Sequence, residues 1–91
     1  MDFLARMNEL TEQKKQIEQE MKDTADAWTR AQGLNDGDKF IFTDGYHKGK
    51  TAQIIKGRMY RFLKKDGTIN NATGLQTFWI YDMEHTKIEK V

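Results

Sequence analysis

Residues 35–57 read NDGDKFIFTDGYHKGKTAQIIKG, and the predicted fold follows from this segment and the residues on either side of it. An apolar run over residues 40–42 and a second stretch, Gln53-Ile54-Ile55, flank a polar segment that contains Gly45 and Gly49. Apolar runs of this length, separated by glycine-bearing turn residues, are typical of two strands joined by a chain reversal. We therefore expect a β-hairpin over these residues, with glycine supplying any positive φ that the loop needs.

The residues that follow the hairpin predict more short strands. Residues 59–64, 75–81 and 86–91 are rich in aromatic and branched side chains, and polar turns separate them. Asp66-Gly67 is a preferred pair for a two-residue hairpin turn, and residues 82–85 read as another turn. About five short strands in fewer than 60 residues predict a small, curved antiparallel β-barrel.

The residues before the hairpin predict one long α-helix. Asp2 is a suitable N-cap, and no glycine or proline interrupts the chain until Gly33, which suits a left-handed C-terminal cap. Leu34 can supply the apolar contact that accompanies such a cap. The predicted fold class is therefore α+β, with an amphipathic helix over residues 1–33 and an antiparallel barrel over residues 34–91.

Apolar residues in the predicted helix recur at alternating steps of four and three, which is a heptad pattern. Lys14 and Thr24 occupy two positions of the same register, and Trp28 closes it. The stripe can pack on the chain's own barrel, pair with a second copy, or dock into a foreign partner. A helix this long cannot bury its whole stripe on so small a barrel, so we predict a homodimer through the helix. The predicted dimerisation residues are Phe3, Met7, Leu10, Ile17 and Met21.

The hairpin resembles a KOW motif, which is known from NusG-type transcription elongation factors and several ribosomal proteins. The resemblance covers residues 37–55 and departs from the family at Ala52, where glycine is usual. It implies an SH3-like barrel that binds nucleic acid or protein, with the loop between the strands meeting the ligand. The matching residues are Gly37, Asp38, Phe40, Phe42, Gly45, Gly49, Lys50 and Ile54.

The charge pattern also points to an acidic partner. Net charge is only +1, yet no acidic residue lies between Asp44 and Asp66, an interval with seven Lys and Arg. Lysine and arginine neutralise phosphates, and exposed aromatic side chains stack on unpaired bases. A solvated basic face with buried aromatic rings is the alternative. The predicted binding residues are Tyr46, His47, Lys48, Lys50, Lys56, Arg58 and Arg61, with Lys64 and Lys65 as further candidates.

Several functions find no support in the sequence. The chain has no Cys, and its two His residues, His47 and His85, have no clustered carboxylates, so we expect no metal site. No nucleophile–base pair or phosphate-binding glycine loop is present, so we expect neither catalysis nor a cofactor. No apolar run approaches the length of a membrane span, and the first residues do not resemble a signal peptide. We therefore expect a cytoplasmic protein.

Together these features predict a non-enzymatic binding or regulatory module that acts on nucleic acid or nucleic-acid machinery. The alternative is a small protein-binding inhibitor or adaptor, encoded by a phage or mobile element, that docks on a larger host enzyme complex. The long helix, acidic on balance, suits the alternative better than it suits nucleic-acid binding.

Overall fold

A computed structural model describes residues 2–91, and a single long helix, α1 (Phe3–Ala31), forms the N-terminal part. The Asp2 carboxylate accepts a hydrogen bond from the Ala5 N–H at 3.1 Å, which confirms the predicted N-cap. Gly33 follows the helix with a φ of +82° and donates its N–H to the Arg30 carbonyl oxygen. Leu34 is 1% exposed, as expected for the apolar contact of this cap.

A five-stranded antiparallel sheet follows the helix and confirms the α+β class. Its strands are β1 (Lys39–Asp44), β2 (Thr51–Lys56), β3 (Met59–Phe62), β4 (Gln76–Thr77) and β5 (Lys87–Lys90). Their order across the sheet is β4-β3-β2-β1-β5, so β1, β2 and β3 form a meander, with β5 beside β1. The predicted hairpin over residues 35–57 is confirmed, with Phe40 opposite Ala52 in the β1–β2 register.

The predicted antiparallel barrel is not closed, because the sheet remains open between its two edge strands. Strand β4 pairs with β3 and strand β5 pairs with β1, and no pairing joins these two edge strands. Strand β4 contains only two residues, so it presents too few backbone groups to continue the ladder. The architecture is therefore a helix attached to an open, five-stranded sheet.

The prediction of a strand over residues 75–81 is also wrong beyond its first residues. The chain leaves the sheet after Thr77, and a short helix, α2 (Ile80–His85), takes the place of the predicted turn. Asp82 explains the change, because its carboxylate accepts the Trp79 N–H at 2.8 Å and so caps the first turn of this helix. Phe78, between strand and helix, turns inward and is fully buried.

Alternation along the three meander strands builds an aromatic core on one face of the sheet. The buried positions are every second residue of β1, β2 and β3, and the rings meet edge to face or tilted at 4.6–5.9 Å between centroids. Leu34 and Phe78 complete this core, and Trp28 packs on Phe78 with centroids 5.1 Å apart. The core members in the strands are Phe40, Phe42, Ala52, Ile54, Tyr60 and Phe62.

Two carboxylates hold the tight turn between β2 and β3, one from α1 and one from the segment that joins α1 to β1. Asp26 accepts the Arg58 N–H and the Lys22 Nζ, both at 2.8 Å, and Asp36 accepts the Gly57 N–H at 2.9 Å. Burial raises the pKa of Asp26, but the hydrogen bonds and charges of Lys22 and Arg58 outweigh it and hold the pKa below the ordinary 3.8. A Cβ on Gly57 would lie 2.4 Å from the Asp26 Oδ1, so only glycine permits this approach.

The helix projects well beyond the sheet it is fixed to. The molecule measures 60 × 25 × 22 Å, and within α1 the residues buried by the sheet are Ala25 and Thr29, with Trp28 partly covered. The side chains of residues 3–24 are all exposed. Within residues 2–91, no helix combines the length and the apolar character that a membrane span requires.

Candidate functional site

The loop between β1 and β2 is held in shape by two glycines. Gly45 and Gly49 have φ values of +97° and +88°, which confirms the conformational role that the sequence predicted for them. Between them, the ring of Tyr46 is 86% exposed and Lys48 is also exposed. This loop therefore exposes an aromatic ring and a cation to solvent.

His47 differs from its two neighbours, because it folds inward. Its ring lies 4.9 Å from Phe62 and 5.4 Å from Phe42, and its Nδ1 is buried without a hydrogen-bond partner in the part of the chain that the structure describes. Burial lowers the pKa of His47, the Lys50 charge lowers it further, and the Asp82 charge opposes both. The imidazole is therefore a neutral anchor for the loop, and Tyr46 and Lys48 are the exposed side chains between its two glycines.

Beside this loop, lysines from separate parts of the chain converge on one groove. Lys50 precedes β2, and Lys64 and Lys65 follow β3, yet all three line the same concavity of about 340 Å³. The Phe62 ring lies beneath, with the Lys50 Nζ 5.5 Å from its centroid. We call this the basic groove; its other lining residues are Gly49, Thr51, Leu63, Asn70 and Thr73.

The other predicted basic residues lie outside the basic groove. Lys56 and Arg58 flank the turn that Asp26 holds, at the opposite end of β2 from the groove. The Arg58 guanidinium stacks over Trp79 at 5.0 Å from the ring centroid. Arg61 lies on β3 opposite Gln53, on the face away from the aromatic core. The structure therefore separates the seven predicted residues among the loop, the basic groove, the helix junction and the outer face of the sheet.

A second candidate surface is apolar and runs along α1. The five predicted dimerisation residues, Phe3 to Met21, are all large apolar side chains between 41% and 75% exposed. Near the sheet the stripe meets α2, where Trp79 and Ile80 are also exposed. Between the two helices lies a second concavity of about 340 Å³. We call it the apolar groove, and we define it by Ile17, Met21, Trp79, Ile80 and Met83.

The two candidate surfaces lie at opposite ends of the sheet. Thr51 at the start of β2 lines the basic groove, and Lys56 at the end of β2 lies beside the helix junction. A six-residue strand separates these ends by about 17 Å. The basic groove and the exposed stripe of α1 are therefore separate parts of the surface.

Sequence reasoning missed the apolar groove altogether, because it placed residues 79–83 in a strand and a turn. The signal that could have found α2 is Asp82, three residues after Trp79, where a carboxylate can cap the first turn of a helix. Lys64 and Lys65 were candidates, but only the β2–β3 register brings them beside Lys50.

Comparisons with known proteins give no relative for this chain. It matches no family model, and comparisons with curated proteins and with solved structures return no match either. Among residues 2–91, no three His, Asp or Glu side chains form a group that could hold a metal ion. Functional inference therefore depends on the two surfaces themselves.

Proposed function

We propose that this chain is a non-enzymatic regulatory binding module that contacts nucleic acid, or the machinery that handles it, through the basic groove. The convergence of Lys50, Lys64 and Lys65 on one concavity supports this proposal most directly. The exposed Tyr46 and Lys48 of the adjoining loop add a stacking ring and a further cation. The KOW-like pattern of residues 37–55 agrees with such a role.

The contacts in this proposal are to phosphates. Three lysines around a groove act as point charges, and they lack the planar donor pairs with which arginine reads base edges. Binding is therefore expected to depend steeply on salt and weakly on sequence. The exposed stripe of α1 joins two copies in this proposal, so that two basic grooves act on one strand and increase avidity without new contacts.

The test is a polarisation titration of a fluorescent oligonucleotide, single-stranded and duplex, at two salt concentrations. Three duplex phosphate contacts predict that affinity falls about 40-fold between about 50 and about 200 mM salt. Lys64→Glu/Lys65→Glu should abolish binding. The matched control, Lys15→Glu/Lys87→Glu, makes the same charge change at exposed lysines outside the groove and should bind nearly as the wild type does. Salt-independent binding, or equal losses in both variants, contradicts the proposal.

A second candidate function is a small inhibitor or adaptor, encoded by a phage or mobile element, that docks on a larger host enzyme complex. The exposure of Trp79 and Ile80 beside the stripe favours it, because large apolar side chains grouped on a surface are typical of protein interfaces. In this case a host protein is retained by the wild type and lost with Ile80→Asp, whereas Lys64→Glu/Lys65→Glu retains it. A capture experiment with these variants distinguishes the two functions.

A further inference from the structure

The apolar groove lies at one end of an exposed apolar stripe, and this placement suggests what covers it. The stripe of α1 begins at Phe3 and enters the groove at Ile17 and Met21. Phe3 and Met21 lie about 27 Å apart along the helix at 1.5 Å per residue. We propose that the groove is filled by the N-terminal turns of α1 from a second copy of this chain, and that the two helices pair antiparallel. This inference deepens the proposed dimer and depends on it.

In one antiparallel register, every stripe position from Phe3 to Met21 lies opposite a stripe position of the other copy. This register places Phe3 opposite Met21 of the other copy, Met7 opposite Ile17, and Leu10 opposite Lys14. Each pair joins an a position of one heptad register to a d position of the other, so side chains interlock along the full length. No apolar stripe residue between Phe3 and Met21 is left without an opposite neighbour.

Lys14 distinguishes this register from parallel pairing. In a parallel, in-register pair the two Lys14 ammonium groups would face each other at a seam position, where like charges repel. In the antiparallel register each Lys14 lies opposite a Leu10, and the Cα atoms of the two Lys14 residues are offset by about 6 Å along the axis. Lys14 can also keep its ion pair with Glu18 of its own helix, at 3.8 Å.

The charges that flank the stripe are complementary in the antiparallel register alone. There, Arg6 of one copy lies beside Glu20 of the other, and the two-fold axis creates this pair twice. Glu20 borders the apolar groove, and Arg6 is exposed and pairs with Glu9 of its own helix. Parallel pairing would instead place Arg6 beside Thr11 and Glu20 beside Ala25, with no opposite charge at either position.

Of the two ways of pairing the helices, only the antiparallel one covers the apolar groove. Its volume of about 340 Å³ lies in the range that accepts apolar ligand groups, and its walls are mostly apolar. In the antiparallel register, Phe3 and Met7 of the second copy reach Met21 and Ile17 at the groove wall. A parallel pair would leave each Phe3 about 27 Å from the groove and the groove open.

Disulfide mapping tests the register. Because the chain has no native cysteine, only the introduced cysteines can form cross-links. Met7→Cys and Ile17→Cys are prepared as separate variants with different affinity tags, mixed, dissociated, reassociated and oxidised. The antiparallel register predicts that the mixed product, joined 7 to 17, dominates at least tenfold over like-with-like products. Like positions would lie about 15 Å apart along the axis, beyond disulfide reach. Dominant like-with-like products, or none at all, overturn the inference.

Sedimentation of the wild type separates failure of the register from failure of the dimer. A monomer contradicts both the antiparallel pair and the dimer proposed above, whereas a dimer with like-with-like cross-links contradicts the register alone. Neither result bears on oligonucleotide binding by the basic groove, which the salt titration measures separately.

A charge exchange gives a second test that leaves the stripe intact. Arg6→Glu should weaken the dimer about fivefold, because two exposed ion pairs become repulsive. Adding Glu20→Arg to that variant should restore dimerisation to within about twofold of the wild type. Lys15→Glu is the control, because it disturbs a similar pair within the helix, with Glu12 at 3.6 Å, on the face away from the stripe. No loss from Arg6→Glu beyond that control, or no rescue by Glu20→Arg, overturns the inference.

Discussion

Gly57→Ala should destabilise the protein more than glycine's conformational freedom alone explains, because Gly57 touches the carboxylate that fixes α1. Its φ is +54°, and an added Cβ would lie 2.4 Å from the Asp26 Oδ1 and 2.8 Å from the Asp26 Cγ. The carboxylate would have to move, and the Arg58 N–H would lose the acceptor that now lies at 2.8 Å. One methyl group would therefore remove the hydrogen bond that joins α1 to the turn between β2 and β3.

Two contributions give the magnitude. A left-handed conformation costs a residue other than glycine about 1–2 kcal/mol. Loss of a hydrogen bond to a charged acceptor costs about 1.5–3 kcal/mol. Gly57→Ala should therefore cost about 2.5–5 kcal/mol in free energy of unfolding. Gly37→Ala is the matched control, because Gly37 has a φ of +88° and nothing within 4 Å of its added Cβ, so about 1–2 kcal/mol is expected.

A double-mutant cycle with Asp26→Ala separates the two contributions. Urea unfolding is followed by tryptophan fluorescence at one protein concentration, because a dimer's stability depends on concentration. Once Asp26→Ala has removed the hydrogen bond, Gly57→Ala should cost only its conformational share. The coupling should then be about 1.5–3 kcal/mol. Additive costs, or equal losses from Gly57→Ala and Gly37→Ala, would refute the role assigned to Asp26.

Three further predictions concern the loop and the core. Because the pKa of His47 is lower in the folded protein than the ordinary 6.5, the unfolded chain binds more protons near that pH, so stability should fall as pH falls below about 6.5. In His47→Gln, the urea midpoint should change less between pH 7.5 and 5.5 than it does in the wild type. An equal change in both proteins would contradict burial of the ring. Phe78→Ala should cost about 3–5 kcal/mol in urea unfolding and shift the Trp28 emission, since the buried Phe78 ring contacts Trp28; a loss under about 1 kcal/mol would contradict this packing. Tyr46→Ala should change stability by less than about 0.5 kcal/mol, yet weaken single-stranded oligonucleotide binding by about 1–3 kcal/mol; unaltered binding would remove Tyr46 from the proposed contact.

Local signals in the sequence were sufficient for the helix and the first hairpin. Asp2 and Gly33 are cap residues whose preference depends on nearby backbone groups, and both form the predicted caps. Gly45 and Gly49 likewise have the positive φ expected of them. The inward face of the meander also follows from alternation, because successive side chains of a strand point to opposite sides.

The region after residue 74 could not be predicted from such signals, because its pattern fits two structures. Residues 78–81 are all aromatic or β-branched, which is typical of a strand. In the structure, however, the Phe78 ring packs against the Phe40 and Tyr60 rings, and Asp82 caps a helix. Tertiary packing therefore overrides the local pattern. The same packing leaves β4 too short to close a barrel.

The kinds of residue that form the candidate sites could be predicted from the sequence, but which of these residues lie together could not. The sequence places seven basic residues in one interval, but only strand pairing determines that Lys50 meets Lys64 and Lys65. The exposed helical stripe was visible as a heptad pattern. The apolar groove at its end was not, because it requires α2.

Sedimentation velocity with a fluorescent oligonucleotide tests the central proposal most directly, namely that the helix joins two copies while the basic grooves bind. In low salt the free protein should sediment as a particle of about twice the 10.7 kDa of one chain. The labelled oligonucleotide should move with that particle, and raised salt should release it without dissociating the dimer. A protein that sediments as a monomer, or an oligonucleotide that sediments alone at low salt, would contradict the account.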